Sequence, residues 1–328
     1  MKIPSILLLL TTGLSFAQGG SLTPPPGSPA PTMKSLDQVE ARTPLVDGAN
    51  GVTVNPGTGG ITISASGSYY LTQNLTVNVG NAISIIANFV TLDLNGFTIT
   101  STSSPAGGNG VFISGKCVTV LNGNISSGYD FGESSGPGFL NGISSNSTGP
   151  IKVSQVIVIG CSENGINLND SASSLTSVDS CLVEGIGHTG IIANSITQSS
   201  VTNSKSAGIR GVTVNHSKVH SSGNVGINAS LISNCHSYSG FLDAIQGELV
   251  NHSYGHSAYG TGITAACVSH SIGKTNEGNG IVAENIVSFS FGHTDSFPWD
   301  GFFGIKSPLG VSCDPSGNLG ISSHHLTP

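Results

Sequence analysis

Lys218 and His220, His236 and Tyr238, and Tyr254 and His256 form three pairs with the same internal spacing. The pairs begin at positions 218, 236 and 254, a constant step. Imidazole gives or takes a proton near neutral pH, and a phenol donates a hydrogen bond or lies against a sugar ring. A lysine beside them adds the positive charge that holds a carboxylate. Residues of these types fit two tasks. One is gripping a polysaccharide. The other is lyase chemistry, in which a base removes the proton from the sugar carbon beside a carboxylate. Hydrolysis asks for two opposed carboxylates, and the only aligned acid is Glu184, two repeats from the centre. An ordinary solvated face with favourable cross-strand pairs uses the same residues.

These pairs meet only if the chain repeats in space, and it does repeat. Gly190-Ile191, Gly208-Ile209, Gly226-Ile227, Ala244-Ile245, Gly262-Ile263 and Gly280-Ile281 recur at that same step. One such unit reads as one coil of a parallel β-helix, in which equivalent residues stack into columns. Small residues Ala193, Gly211, Ala229, Gly247, Ala265 and Ala283 follow two positions after the isoleucines. Ile196, Val214, Ile232, Val250, Val268 and Ile286 come next, then Ser199, Ser217, Cys235, Ser253, Ser271 and Phe289. Alternating large and small columns fill a narrow interior, and β-branched residues suit strands. Large apolar residues fall at intervals of 5, 5 and 8, as in Ile191, Ile196, Val201 and Ile209. A left-handed hexapeptide helix would repeat an interval of six. The fold expected is therefore all-β, a right-handed parallel β-helix of about 11–12 coils with a minimal coil of 18 residues, over 51–328.

Coil starts are set near Ala82, Gly110, Gly142, Gly165, Gly190, Gly208, Gly226, Ala244, Gly262, Gly280, Gly304 and Gly320. Loops Gly128–Leu140 and Ser144–Pro150 lengthen the early coils. Asn95-Gly96 and Asn122-Gly123 mark turns that accept positive φ. Gly51–Thr76 and Phe297–Pro328 are the expected end caps.

Residues 1–17 read as a signal peptide: Lys2, the apolar run Ile6 to Leu10, and small residues up to Ala17. The protein is thus expected to be exported, in the periplasm, secreted or at the cell surface. No later stretch reaches the ~20 apolar residues of a membrane span, so it is not expected to be an integral membrane protein. Residues 18–50 form a proline-rich leader, with a short amphipathic helix from Lys34 to Arg42. Charged side chains are scarce, with Lys and Arg totalling 10 against 17 for Asp and Glu, and the formal net charge is −7. That balance, with no basic stripe, argues against a nucleic-acid partner.

Four further groups carry possible chemistry. Gln198, His216, Asn234, His252, His270 and Ser288 recur at one bend. A metal ladder is one reading, but Asn and His also suit left-handed bends, and a metal asks for more convergent ligands. No metal site is assigned. Cys161 and Cys181 are placed in one inward column, as a disulfide or as stacked buried thiols. Cys235, Cys267 and Cys313 are read as core filling, and no CxxC motif occurs. The stretch from Phe289 to Phe303 holds Trp299 together with His293, Asp295 and Asp300. It reads as an apolar plug or as a sugar platform, with Trp299 a ligand-binding candidate. Asp130, Glu133 and Asn141 offer calcium too few oxygens for a strong site. No other cofactor is expected.

Asn88-Phe89-Val90-Thr91-Leu92-Asp93-Leu94-Asn95-Gly96-Phe97-Thr98-Ile99 resembles a first-coil signature of exported right-handed parallel β-helix repeat proteins. Val118 to Gly123 and Leu231 to Cys235 are similar to their internal repeats, and Pro31 to Asp37 resembles the leader of uncharacterised members from environmental bacteria. The resemblance covers about residues 28 to 325 and places the chain near the pectate-lyase-like superfamily in the broad sense. It implies the fold. For activity it implies a range, since such proteins include lyases, hydrolases, epimerases, adhesins and structural rods. Pectate lyases of this shape use an acidic calcium cluster beside a basic residue, and no such cluster stands out here. The function expected is an exported protein binding carbohydrate or another surface polymer along one solenoid face. The alternatives are a polysaccharide lyase or related carbohydrate-active enzyme, and a structural rod or fibre component.

Overall fold

A computed structural model describes residues 42–131, 136–169, 175–295, 304–307 and 309–310. The expected signal peptide, most of the expected leader and its helix, Glu133, Trp299, Asp300, Cys313 and the expected coil start at Gly320 lie outside them. The regular secondary structure of the described residues is strand alone, apart from turns. It forms a right-handed parallel β-solenoid.

Three ladders of parallel strands make three faces. The first runs from Ile61–Ile63 through Ile83–Ile85, Asn109–Ile113, Asn141–Ser145, Ile166–Asn167 and Ile191–Ile192 into Ile209–Asn215. It continues through Ile227–Ser233, Ile245–Asn251, Ile263–Ser269 and Ile281–Ser288 to Ile305–Lys306. A second face begins with Thr43–Pro44 on Gly67–Tyr70 and merges with the first from Ile209–Asn215 onward. The third includes Leu182–Ile186, Ser200–Ser204, Lys218–Ser222, His236–Ser239, Tyr254–Ser257, Ile272–Thr275 and Phe291–Thr294. Ladder pairing thus begins before Gly51. Within the expected N-terminal cap, only Val52–Val54 is antiparallel, against Ile61–Ile63. The rest of that segment already belongs to the coils.

The isoleucine column closes the core. Ile191, Ile209, Ile227, Ile245, Ile263 and Ile281 are all fully buried. Polar columns run beside it. Asn109 donates its side-chain amide to Asn81 Oδ1 at 2.8 Å, Asn141 donates to Asn109 Oδ1 at 3.0 Å, and Asn164 donates to Asn141 Oδ1 at 2.9 Å. Asn109 and Asn164 add backbone N–H bonds to the same oxygens. The serine column does likewise. Ser199 N–H donates to Ser217 Oγ, Ser253 N–H to Ser271 Oγ, and Ser271 N–H to Ser290 Oγ. Each hydroxyl then donates to a carbonyl two residues earlier, as Ser217 does to Asn215. Inward polar groups thereby keep their partners where the backbone bends.

The bend column holds the left-handed backbone that its residue types call for. Gln198, His216, Asn234, His252 and His270 have φ between 46° and 53°. Its last member differs from the sequence reading. The strand Ile281–Ser288 carries one extra residue, and the register shifts between Ala265 and Cys267. Val287 takes the core place assigned to Ile286, which is 51% exposed. Phe289, at φ 48°, takes the bend place assigned to Ser288, and Ser290 takes the serine place assigned to Phe289. Because strand side chains alternate, one inserted residue flips the positions that follow it. Asn95 and Gly96 turn with positive φ, and so does Asn122, whereas Gly123 continues the strand Val118–Ser126.

Candidate functional site

The third face carries the paired residues, and their order follows from alternation. Val219, Ser237 and Gly255 point inward and are buried, so their flanking residues point outward. Lys218 pairs with His236, His236 with Tyr254, Tyr254 with Ile272 and Ile272 with Phe291. Tyr238 pairs with His256, His256 with Lys274 and Lys274 with His293. All six candidates, Lys218, His220, His236, Tyr238, Tyr254 and His256, are exposed or half-buried. The ladder brings them onto one surface, with a shift between Val219 and Ser222 that loosens the match of His220.

Their rings stack along the solenoid. His236 and Tyr254 lie 4.5 Å apart at 20°, and His220 and Tyr238 lie 5.6 Å apart at 21°. Tyr238 meets His256 edge to face at 4.9 Å. His256 Nε2 lies 3.1 Å from Asn276 Oδ1, and His220 Nδ1 lies 3.1 Å from Ser221 Oγ. The His236 imidazole titrates below its ordinary value. Partial burial is the first cause, followed by the positive charges of Lys218 and His220.

The bend column stands beside this surface, a relation that spacing alone did not reveal. His252 and His270 stack at 4.8 Å and 7°, and Phe289 continues the stack at 5.1 Å from His270. A shallow groove of about 430 Å3 is lined by Asn234, His252 and His270 from the bend, and by His236, Tyr254 and Ile272 from the strand. Cys235 and Ser253 lie between them and are buried, forming its floor. Both columns repeat once per coil in the sequence. What could not be read is that bend residues and the residues two places later line one groove. In each stack the ring faces are largely turned to one another. The groove lining is nevertheless chiefly apolar, made of the carbon surfaces of these rings and of Ile272.

Other candidates fall elsewhere. Among the described residues no group of three or more His, Cys, Asp or Glu is placed to hold a metal ion. Asn141, considered for calcium, has its amide nitrogen committed to Asn109 and its oxygen to Asn164. The Cys161–Cys181 pairing is corrected by the register. Ile157 faces Leu182 and Ile159 faces Glu184, so continuing the ladder sets Cys181 beside Val156 and Cys161 beside Ile186. Both are free, buried thiols. Burial pushes Cys161 up to about 12 and Cys181 to about 11. Cys235 is buried as expected, while Cys267 is half-exposed. His293 Nε2 contacts Asp295 Oδ1 at 2.9 Å. A further exposed stack, Phe241 on Tyr259 at 5.8 Å, joins two coil turns that carried no sequence signal. No helix of the described residues is long and apolar enough to cross a membrane.

No protein-family model matches the chain, and no curated protein is similar to it by sequence.

Proposed function

We propose that the protein binds an extended polymer, a polysaccharide or another cell-surface polymer, along its third face. The observation that carries this reading is the groove between the His252–His270 stack and the His236–Tyr254 stack. It is open and elongated along the coil axis, and its walls repeat once per coil, which suits a ligand that also repeats. A chiefly apolar lining with aromatic walls suits the apolar faces of sugar rings. The residues 1–17 support export, and so a partner outside the cytoplasm. Purified mature protein tested against neutral and acidic polysaccharides is expected to bind at least one of them. Alanine at His236, Tyr254 and His256 is expected to weaken that binding by tenfold or more, at unchanged circular dichroism. Equal binding by the triple variant would move the site off this face.

A second reading, lyase activity, rests on one observation. His236 is held toward its neutral form beside the cationic Lys218. A neutral base next to a cation is what proton removal beside a sugar carboxylate needs. Ultraviolet absorbance from unsaturated uronides in the same assay tests it. Their absence from every uronate polymer that binds would leave binding alone.

A further inference from the structure

Phe289 is at once strained and exposed. It occupies the bend at φ 48°, a conformation that Asn and His tolerate better than a bulky aromatic does. It is also 78% exposed. The extra residue in Ile281–Ser288 puts it there, since regular spacing would set Ser288 at the bend and turn Phe289 inward. Neither burial nor backbone preference accounts for a phenyl ring at this place. What the position gives is continuity with the groove. Phe289 stacks on His270 at 5.1 Å, and His270 stacks on His252 in the groove wall, so one phenyl face is taken and the other is turned away from the stack. We propose that the groove receives an uncharged, ribbon-like glycan of the β-1,4-linked glucan or xylan type, one sugar per coil, and that one of its sugars rests on Phe289. The inference rests on the polymer-binding reading for the place of the site, and it adds the class of glycan and a contact residue beyond the groove's lining.

Charge narrows the ligand first. No Asp, Glu, Lys or Arg lines the groove. Lys218 precedes His236 in its column and stands outside the lining. His236 is held toward its neutral form, chiefly by partial burial. A carboxylate or sulfate chain would exchange water for carbon surfaces here, at a cost that nothing in the lining repays. An uncharged chain loses less. Shape narrows it further. Stacked coils advance by about 4.8 Å. One wall gives each coil one residue, His236, Tyr254 and Ile272 in turn, and the other gives His252, His270 and Phe289. A pyranose joined through two equatorial bonds advances by nearly the same step, so each sugar meets an equivalent part of both walls. Such a chain is a flat ribbon, with hydroxyls at its edges and axial C–H bonds over its two faces. The axial bond at each α-1,4-glucan linkage winds that chain into a coil and loses the match. Apolar ribbon faces fit the chiefly apolar lining, and the Phe289 ring adds flat carbon surface for one more sugar. The rungs Asn234, His252, His270 and Phe289 together span about four sugars.

The probes are cellobiose, cellotetraose and cellohexaose, with maltohexaose as the control for shape and hexagalacturonate as the control for charge. Binding is measured by titration calorimetry at one pH and one ionic strength. Wild type is expected to bind cellohexaose, with affinity rising about tenfold or more from cellobiose to cellotetraose and little beyond. The test variant is Phe289→Asn, since Asn234 already occupies this bend at φ 53°. Phe289→Gln serves if that variant folds poorly, because Gln198 holds the same bend at φ 48°. Either change is expected to weaken cellohexaose binding about fivefold, at a melting temperature no lower than wild type. Phe89→Asn is the matched control. Phe89 has φ 56° and is 68% exposed, but it precedes Val90–Asp93, at the other end of the second face. That variant is expected to bind as wild type does. Wild-type affinity in Phe289→Asn overturns the proposal, as does an equal loss in Phe89→Asn. So does maltohexaose or hexagalacturonate bound as tightly as cellohexaose, or no binding of cellohexaose at all. If another polymer then binds and loses affinity on alanine at His236, Tyr254 and His256, the polymer-binding reading survives that failure. If no polymer binds, both fall.

Discussion

Ser237 sits fully buried in an inward column that Val183, Val201 and Val219 occupy in the preceding coils. Its hydroxyl has no hydrogen-bond partner among the described residues. A hydroxyl taken out of water without a partner costs about 1–3 kcal/mol. Ser237→Ala is therefore expected to stabilise the protein by about 1 kcal/mol, read as a higher urea midpoint at unchanged slope. A lower midpoint would mean that the hydroxyl contributes to packing more than its burial costs. The facing Gly226 has no such freedom. A Cβ there would run into Ser237 Oγ and the Ala244 carbonyl oxygen. The thiols give a second residue-scale test. Burial holds Cys161 at about 12 and Cys181 at about 11, so the reactive thiolate is scarce near neutral pH. Iodoacetamide is expected to spare both in the native protein and to label the exposed Cys117. Rapid native alkylation of Cys161, mapped by mass spectrometry, would contradict its burial.

At the scale of elements, the polar ladders hold the bends in place. Asn141 accepts from the Asn164 backbone and side chain and donates to Asn109. Asn141→Ala leaves those groups unpartnered, at an expected cost of about 1–3 kcal/mol in chemical unfolding. The His236–Tyr254 stack makes a prediction about pH. The His236 imidazole is depressed, first by burial and then by Lys218 and His220. In the unfolded chain it titrates near 6.5. As pH falls below about 6.5 the unfolded state takes up the proton first, so stability drops down to the lower folded value. Above that window this residue adds no slope. His236→Gln is expected to flatten part of the acid-side loss of melting temperature, and an unchanged profile would assign it to other groups. The element that sequence reading placed least well was the coil from Gly280. The regular spacing assigns Ile286 to the core, yet the chain inserts one residue and Val287 fills the place. Nothing in composition distinguishes isoleucine from valine at adjacent positions. Only the requirement that Ser290 meet the Ser271 N–H decides between them.

Across the whole molecule, each coil of the regular region meets chiefly its two neighbours, as the strand pairings show. Stability then sums over coils and their junctions. Removing residues 208–225 joins Ala207 to Gly226 with every column still in register. The shortened protein is expected to fold, with a denaturant slope reduced in proportion to the residues lost. Loss of cooperative unfolding would show that this coil carries more than its share. The same periodicity explains what could be read in advance. Columns such as Ile191 to Ile281, and the outward pairs from Lys218 to His256, need only counting. The groove needed the angle between a bend and a strand, which no spacing encodes.

The extra residue in Ile281–Ser288 has a consequence for how such a chain can change over generations. The surplus is absorbed as an outward bulge between Ala283 and Val287, and the neighbouring coil recovers its alignment before the next bend. An insertion is thus confined to the surface of one coil and is not transmitted along the stack. Whole coils can be duplicated or lost by unequal exchange, because any segment one repeat long begins and ends on equivalent backbone. The third face can gain or shed one histidine or tyrosine rung at a time while the interior stays the same.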